Sequence, residues 1–316
     1  MAKKKKARKR NFTSIFIVFV ILVIIAGSGY FGIKYYKYIQ TFEYKLKEIG
    51  YSKEEITTIT NKLNDKEIEA LLDKQYYPNL IKFINQKYFI YSNLDRYQNY
   101  YIKNSEKTIE DIISIVNVEA DNEFYTNVKE ADMSKGNLIL VNKFYKLPND
   151  YAAEDLKPIT LQFAYSGHQI KEEVLDHYLD MAYAAKKEGL TLIVTSSYRS
   201  YDFQKSLYNG YVNSSGKKEA DRYSARPRHS EHELGLALDI VTYNTTMDEF
   251  EQTEEFRWLN ENAYKYGFIL RYPKEKEHIT GYKYEPWHYR YVGVEYAKKI
   301  YDEGITFDEY YAYYLK

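Results

Sequence analysis

Residues 12–33 carry no charged side chain and are dominated by Ile, Val and Phe. At about 1.5 Å per residue this run makes roughly 33 Å of helix, enough to cross a hydrocarbon core of about 30 Å. Beyond it the pattern becomes amphipathic. Ser52-Lys53-Glu54-Glu55 has the form of a capping box, and Ile56, Ile59 and Leu63 follow as a helical stripe. Asn64-Asp65 opens a second short helical unit with Ile68, Leu71 and Leu72 on one face, until Pro78 breaks it. Tyr-rich, weakly periodic sequence continues to about residue 105. This pattern predicts a mainly helical stalk or small module over residues 34–108.

From Ile109 the pattern is that of one globular domain reaching residue 316. An apolar run at 137–142 precedes the turn signal Pro148-Asn149-Asp150. Residues 172–188 predict a helix with Val174, Leu175, Tyr178 and Leu179 inward, closed by Gly189. Residues 190–196 read as a strand and 202–208 as a helix. Over 236–241 the alternation places Ala237, Asp239 and Val241 on one face and Leu238 and Ile240 on the other. Phe256, Leu259, Ala263 and Tyr266 mark a helix ended by Gly267; a strand at 288–292 and a helix from 293 to Gly304 complete the pattern. Helices and short strands without regular βαβ spacing predict an α+β domain.

Charge changes this picture at one end. The chain has 45 basic and 45 acidic residues, but seven of the basic ones (Lys3, Lys4, Lys5, Lys6, Arg8, Lys9 and Arg10) precede the apolar run, leaving 38 against 45. A basic tail over residues 1–11 before an apolar span predicts a single-pass signal-anchor in the cell membrane, with the N-terminus cytoplasmic and the remainder outside. Ala26-Gly27-Ser28 offers a cleavage site for the competing reading, a removed signal peptide, whose apolar region is ordinarily shorter, about 7–15 residues. The chain contains no Cys, which excludes a lipoprotein anchor, thiol nucleophiles and Cys-ligated zinc. No dense basic run lies outside the tail, so nucleic acid is not an expected partner. The 38 Tyr residues accompany abundant Lys, Asn and Ile and read as compositional bias.

The chemistry is concentrated in two segments. Ser230-Glu231-His232-Glu233-Leu234-Gly235-Leu236-Ala237-Leu238-Asp239 is followed about fifty residues later by Glu285-Pro286-Trp287-His288. Two histidines and an aspartate are three metal-type ligands, the number a catalytic zinc site typically takes from the protein while leaving a position for water. Glu285, three residues before His288, is a candidate base for that water. Gly235 allows the backbone to bend between His232 and Asp239, and Ala237 leaves room beside Asp239. A match to Ser-x-His-x-x-Gly-x-Ala-x-Asp arises by chance in roughly one of several thousand chains of this length, so the pattern is specific. His168 and His177 read as structural, His229 as a rim or supporting residue, His278 as a loop residue, and Trp287 as core or pocket wall.

With Ser196-Ser197-Tyr198-Arg199-Ser200, Gln204 and Leu207-Tyr208 added, residues 109–316 resemble the zinc D-alanyl-D-alanine carboxypeptidases of the VanY type. These belong to the superfamily that joins lysostaphin-like peptidases, D-Ala-D-Ala metallopeptidases and the hedgehog fold. The resemblance implies one Zn2+ per chain held by His232, Asp239 and His288, with Glu285 as catalytic base. It implies that Arg199 contacts substrate near the scissile carbonyl or terminal carboxylate, and that Ser230 and Gln204 support peptide binding. The implied substrates are the stem peptides of peptidoglycan, cut at the terminal D-Ala-D-Ala bond. An L,D-carboxypeptidase, a cross-bridge endopeptidase and a non-catalytic zinc-containing wall-binding module stand as alternatives. One departure is visible: Arg228 follows Pro227 where the family often has Gly.

Overall fold

The computed structural model describes residues 12–316; the basic tail expected over residues 1–11 lies outside the described residues. Helix α1 (Phe12–Ile39) extends past the predicted end of the apolar run, and its portion Phe16–Ile39 is long and apolar enough to cross a membrane. The chain divides into two compact units, one ending at Leu94 and the other running from Asp95 to Lys316.

In the first unit, α1 is followed by α2 (Phe42–Ile49), α3 (Lys53–Lys62), α4 (Asp65–Leu72) and α5 (Leu80–Ile84). The expected capping box forms between Ser52 and Glu55, and a second one, between Asn64 and Glu67, starts α4. Each satisfies two of the amide donors that a helix start leaves free. Leu46, Ile59, Leu71, Leu80 and Phe83 are buried.

The second unit begins ahead of the expected boundary at residue 109. Helix α6 (Leu94–Lys103) carries Arg96, which donates to Asp121 Oδ2 at 3.1 Å and to the Val116 carbonyl at 2.9 Å. Those bonds tie it to the turn after α7 (Ile109–Asn117). Nothing in the Tyr-rich pattern signals this, because the partners are polar and lie some twenty residues on.

Small ladders follow: β1 (Lys129–Glu130) pairs with β2 (Tyr145–Lys146), and β3 (Leu156–Pro158) with β4 (Gln169–Lys171). The apolar run at 137–142 is buried but forms no strand. Helix α8 (Glu172–Lys187) then leads through Gly189, at φ +84°, into β5 (Ile193–Ser196). Next come α9 (Tyr201–Ser215), longer than its pattern predicts, and α10 (Lys217–Tyr223), which the pattern does not show. Strand β6 (Ala237–Val241), α11 (Glu254–Asn262), β7 (Phe268–Leu270), α12 (Glu277–Thr280), β8 (His288–Tyr291), α13 (Val294–Glu303) and α14 (Phe307–Tyr314) complete the unit.

Strands β5–β8 form one antiparallel sheet in the order β5-β6-β8-β7. Both faces are covered, so all five residues of β6 are buried and the alternation no longer separates core from solvent. Leu238, Ile240, Tyr289, Tyr291 and Phe268 join a core with Val174, Tyr178 and Met181 of α8. On the opposite face Ile269 packs with Phe307 and Tyr310 of α14 and Ala297 and Ile300 of α13. Asp239, His288 and Arg290 share that second face, since directly paired residues point the same way (Asp239 opposite His288, Arg290 opposite Ile269).

Gly267 and Gly304 both close helical turns with positive φ, +87° and +63°. They differ in surroundings: a Cβ on Gly267 would lie 2.6 Å from the Tyr291 ring and 3.1 Å from the Gly293 backbone, whereas none of its neighbours crowds Gly304. Gly304→Ala should therefore lose about 1 kcal/mol, the left-handed penalty alone. Gly267→Ala should lose about 3 kcal/mol or more, because backbone must shift as well. Urea unfolding of the two variants checks the contrast.

Candidate active site

The register of the sheet brings the first two functional side chains together. Asp239 pairs with His288 across β6 and β8, and His288 Nδ1 lies 3.1 Å from Asp239 Oδ1. The third arrives by a turn. Residues 231–234 make one 3-10 turn closed by Gly235 at φ +71°, whose missing Cβ leaves space against Leu156 and Lys171 of the β3–β4 hairpin. This turn aims His232 Nε2 at Asp239 Oδ1, 3.4 Å away, while His232 Nδ1 bonds the Ser197 carbonyl at 2.7 Å. One ligand-type atom from each of His232, Asp239 and His288 lies within 4.8 Å of the others, and all three residues are buried. That donor set, two buried imidazoles and a carboxylate, suits a zinc ion.

Glu285 Oε2 is 3.6 Å from His288 Nδ1, and burial raises its pKa to about 7 against the opposing pull of His288. Burial also pushes His232 down to about 4, with Arg199 adding to the effect. At His288 burial acts in the same sense, but hydrogen bonding to Asp239 and Glu231 outweighs it and raises the pKa to about 9. Asp239 is held well below the carboxylate range: burial would raise it, and His232, His288 and Arg199 overcome that. The shifts at Asp239 and His288 favour positive charge among the ligand atoms, whereas burial and Arg199 oppose it at His232.

Arg199 follows β5 and precedes Ser200, the N-cap of α9. Its Nη2 donates to Asp239 Oδ2 at 2.8 Å and its Nε to Ser196 Oγ at 2.9 Å. Gln204 is fully buried and reaches Arg199 Nη1 at 3.4 Å and the Ala225 carbonyl at 2.7 Å. It thus orients Arg199 from beneath, whereas Arg199 and Ser230 line the cleft. The cleft, about 370 Å³, has the three ligand residues and Glu285 in its wall, together with Tyr272, Tyr282 and Trp287.

The remaining histidines stand apart from the ligand group. His229 is buried, with Nδ1 on the Asn142 carbonyl at 2.7 Å and its ring against Tyr125. His168 meets Ser197 Oγ at 3.2 Å, and His177 packs on Tyr291. His278 lies on the short helix α12 and not in a loop. Sequence reasoning missed Glu231, Arg271 and Arg290, which form a fully buried ionic cluster behind His288. The available signal was position: Glu231 lies inside the motif, and Arg290 shares a strand face with His288.

Arg228 adopts φ +71°, the left-handed conformation that glycine enters without penalty. The loop keeps its course because the side chain is anchored. Nη1 donates to the Tyr151 carbonyl at 2.7 Å, Nη2 to the Asn149 carbonyl at 2.5 Å, and the guanidinium lies 4.5 Å from the centre of the Tyr201 ring. Its backbone N–H donates to Glu233 Oε1 at 2.7 Å.

A single group of three metal-type ligands with an adjoining carboxylate in an open cleft is the arrangement of a mononuclear metallohydrolase. Comparison with known proteins narrows it. Residues 167–294 match the VanY family model, D-alanyl-D-alanine carboxypeptidase. The chain is 40% identical to the putative carboxypeptidase YodJ of Bacillus subtilis over 204 residues, 60% of this chain and 75% of that protein. It is 38% identical to a D-alanyl-D-alanine carboxypeptidase of Enterococcus faecalis, over 60% of this chain and 71% of that one. Among solved structures, the LdcB LD-carboxypeptidase superposes with a TM-score of 0.56 at 41% identity, covering 60% of this chain and 91% of that one. The chain belongs to the VanY D-alanyl-D-alanine carboxypeptidase family, and it is a zinc metallopeptidase.

Arg228→Gly is expected to change stability by less than about 1 kcal/mol, because relief of the left-handed conformation offsets the lost side-chain bonds. Arg228→Val keeps the strain and loses the bonds, and should cost about 2 kcal/mol or more. Urea midpoints of the two variants test this.

Proposed function

We propose that this protein is a membrane-anchored zinc D,D-carboxypeptidase that removes the terminal D-Ala from peptidoglycan stem peptides. The observation that carries this reading is the convergence of His232, Asp239 and His288 beside the buried carboxyl of Glu285, whose pKa of about 7 suits it to exchange protons at neutral pH. His232, Asp239 and His288 hold the zinc. When bound, zinc acts as a Lewis acid and lowers the pKa of water from 15.7 to about 7.

Glu285 takes the proton of the attacking water and passes it to the leaving amine. Its desolvated surroundings keep the carboxyl close to the ambient pH, so both transfers are feasible. Arg199 offers a planar, permanently charged fork to the substrate's terminal carboxylate or to the oxyanion. Gln204 acts through Arg199, and Ser230 supports the peptide at the cleft wall. The α1 helix anchors the chain with its N-terminus in the cytoplasm. Residues 34–108 space the peptidase from the membrane, and the peptidase acts outside.

The likeness to an LD-carboxypeptidase at 41% identity favours one alternative, removal of the terminal D-Ala from tetrapeptides at the same site. The zinc-loaded full-length protein in detergent, incubated with defined tri-, tetra- and pentapeptide muropeptides, separates the two by mass spectrometry. Conversion of pentapeptide to tetrapeptide, unaffected by β-lactams because no acyl-enzyme forms, is the expected result. Conversion of tetrapeptide alone would replace it with the L,D reading, and no conversion at full zinc occupancy would refute both. Glu285→Ala should retain zinc and lose at least about a hundredfold in kcat, whereas His232→Ala should lose zinc as well.

A further inference from the structure

We propose that Glu231 is the positioning residue for His288: it accepts a hydrogen bond from Nε2–H and thereby commits Nδ1 to the metal. This inference rests on the reading of His288 as a zinc ligand. The two histidines of the site use opposite nitrogens. His232 points Nε2 at Asp239 and has its Nδ1 on the Ser197 carbonyl, 2.7 Å away. His288 points Nδ1 at Asp239 Oδ1, 3.1 Å away, and at Glu285 Oε2, 3.6 Å away. Its Nε2 faces Glu231 Oε2 at 3.5 Å. Both of those atoms are buried and have no other hydrogen-bond partner among the described residues. A closing movement of about half an ångström joins them in a normal hydrogen bond.

The rest of the cluster explains why Glu231 can only accept. Its Oε1 receives Arg271 Nε at 2.7 Å and Arg290 Nη1 at 3.0 Å, leaving Oε2 for His288. Arg271 Nη1 is bonded to Asp308 Oδ2 of α14 at 2.5 Å, and Arg290 Nη2 to the Asn137 and Ile139 carbonyls, each at 2.9 Å. Two arginines offset two carboxylates, and the side chains of Glu231, Arg271 and Arg290 are wholly buried. A carboxylate between two guanidinium groups carries no proton to donate. A neutral, metal-binding imidazole then keeps its one proton on Nε2 and presents the free lone pair on Nδ1. The oxygen behind a ligating imidazole sets its tautomer and orientation and raises its basicity. His232 has a neutral carbonyl in that place and His288 a full charge, so Glu231 is expected to strengthen the second ligand more.

The decisive measurement uses zinc-loaded, full-length protein with 15N-labelled histidine, whose His288 signals are assigned by substitution. Nδ1 should show the shift of a metal-bound nitrogen, and Nε2 that of a protonated, hydrogen-bonded one. Chelator competition should show Glu231→Gln binding zinc about 10–100-fold more weakly than wild type. Gly304→Ala, destabilised at the end of α13 and outside the cleft wall, should retain wild-type zinc affinity, which separates positioning from general loss of stability. His288 bound through Nε2 in the wild type would overturn the proposal whether or not Glu231→Gln folds. So would a folded Glu231→Gln protein with wild-type zinc affinity and unchanged His288 signals. A wild-type protein that takes up no zinc would instead overturn the functional reading beneath it.

Discussion

Asp239 and His288 are joined by strand register before they are joined by chemistry. They face each other across β6 and β8, the two inner strands of the four-stranded sheet. Side chains alternate along a strand, so a slip of one residue would send Asp239 into the apolar core against α8 and bring Leu238 or Ile240 to the site. That core, with Tyr289 and Tyr291 packed beside Val174 and Tyr178, makes such a slip costly. The packing of one face therefore fixes the placement of ligands on the other. His232 joins them through the short turn closed by Gly235, which packs on a different hairpin.

The face that carries the site is expensive to build. It buries Glu231, Arg271 and Arg290 completely, and desolvating such ions costs several kcal/mol each even when they are paired. Apolar residues of similar volume would often serve stability as well. What they could not supply is a fixed negative charge behind His288. The cluster also reaches Asp308 at the start of α14, so the C-terminal helix braces the site from behind. Asn142 links it further, donating to Asp308 while its carbonyl receives His229.

Substrate choice depends on a different set of residues. The cleft wall is aromatic and carries Lys283 and Asp248 besides the reacting groups. The chain is similar both to a D-alanyl-D-alanine carboxypeptidase and to an LD-carboxypeptidase, so family membership alone does not set the stereochemical preference. Arg228 lies between Ala225 and Ser230, which line the cleft, and its bonds to Asn149 and Tyr151 replace by anchoring what glycine would provide by freedom.

Much of the site was legible in the sequence because its elements are short and local: a ten-residue motif with His232 and Asp239 in place, and Glu285 three residues before His288. The Ser52 capping box and the glycine ends at 189, 267 and 304 were legible for the same reason, each being a signal carried within one turn of chain, and the apolar run near the N-terminus because it is continuous. The helix at 94–103 was not, since its burial depends on partners distant in sequence; that at 307–314 carries a local capping box, Thr306 to Glu309, but its buried positions mix Phe, Tyr, Asp and Glu and give no clear apolar stripe. Gln204 could be named from the sequence, but only its burial beneath Arg199 assigns it to orientation and not to the cleft wall. Glu231 stood in plain view inside the motif. Its role depends on two arginines from other strands or their ends and on one imidazole nitrogen, and only the folded sheet brings those together. Residue types and local spacing determined which chemistry this chain can perform. Long-range register and burial decided which atoms face one another, because hydrogen bonds and desolvation act over a few ångströms of space whatever the separation along the chain.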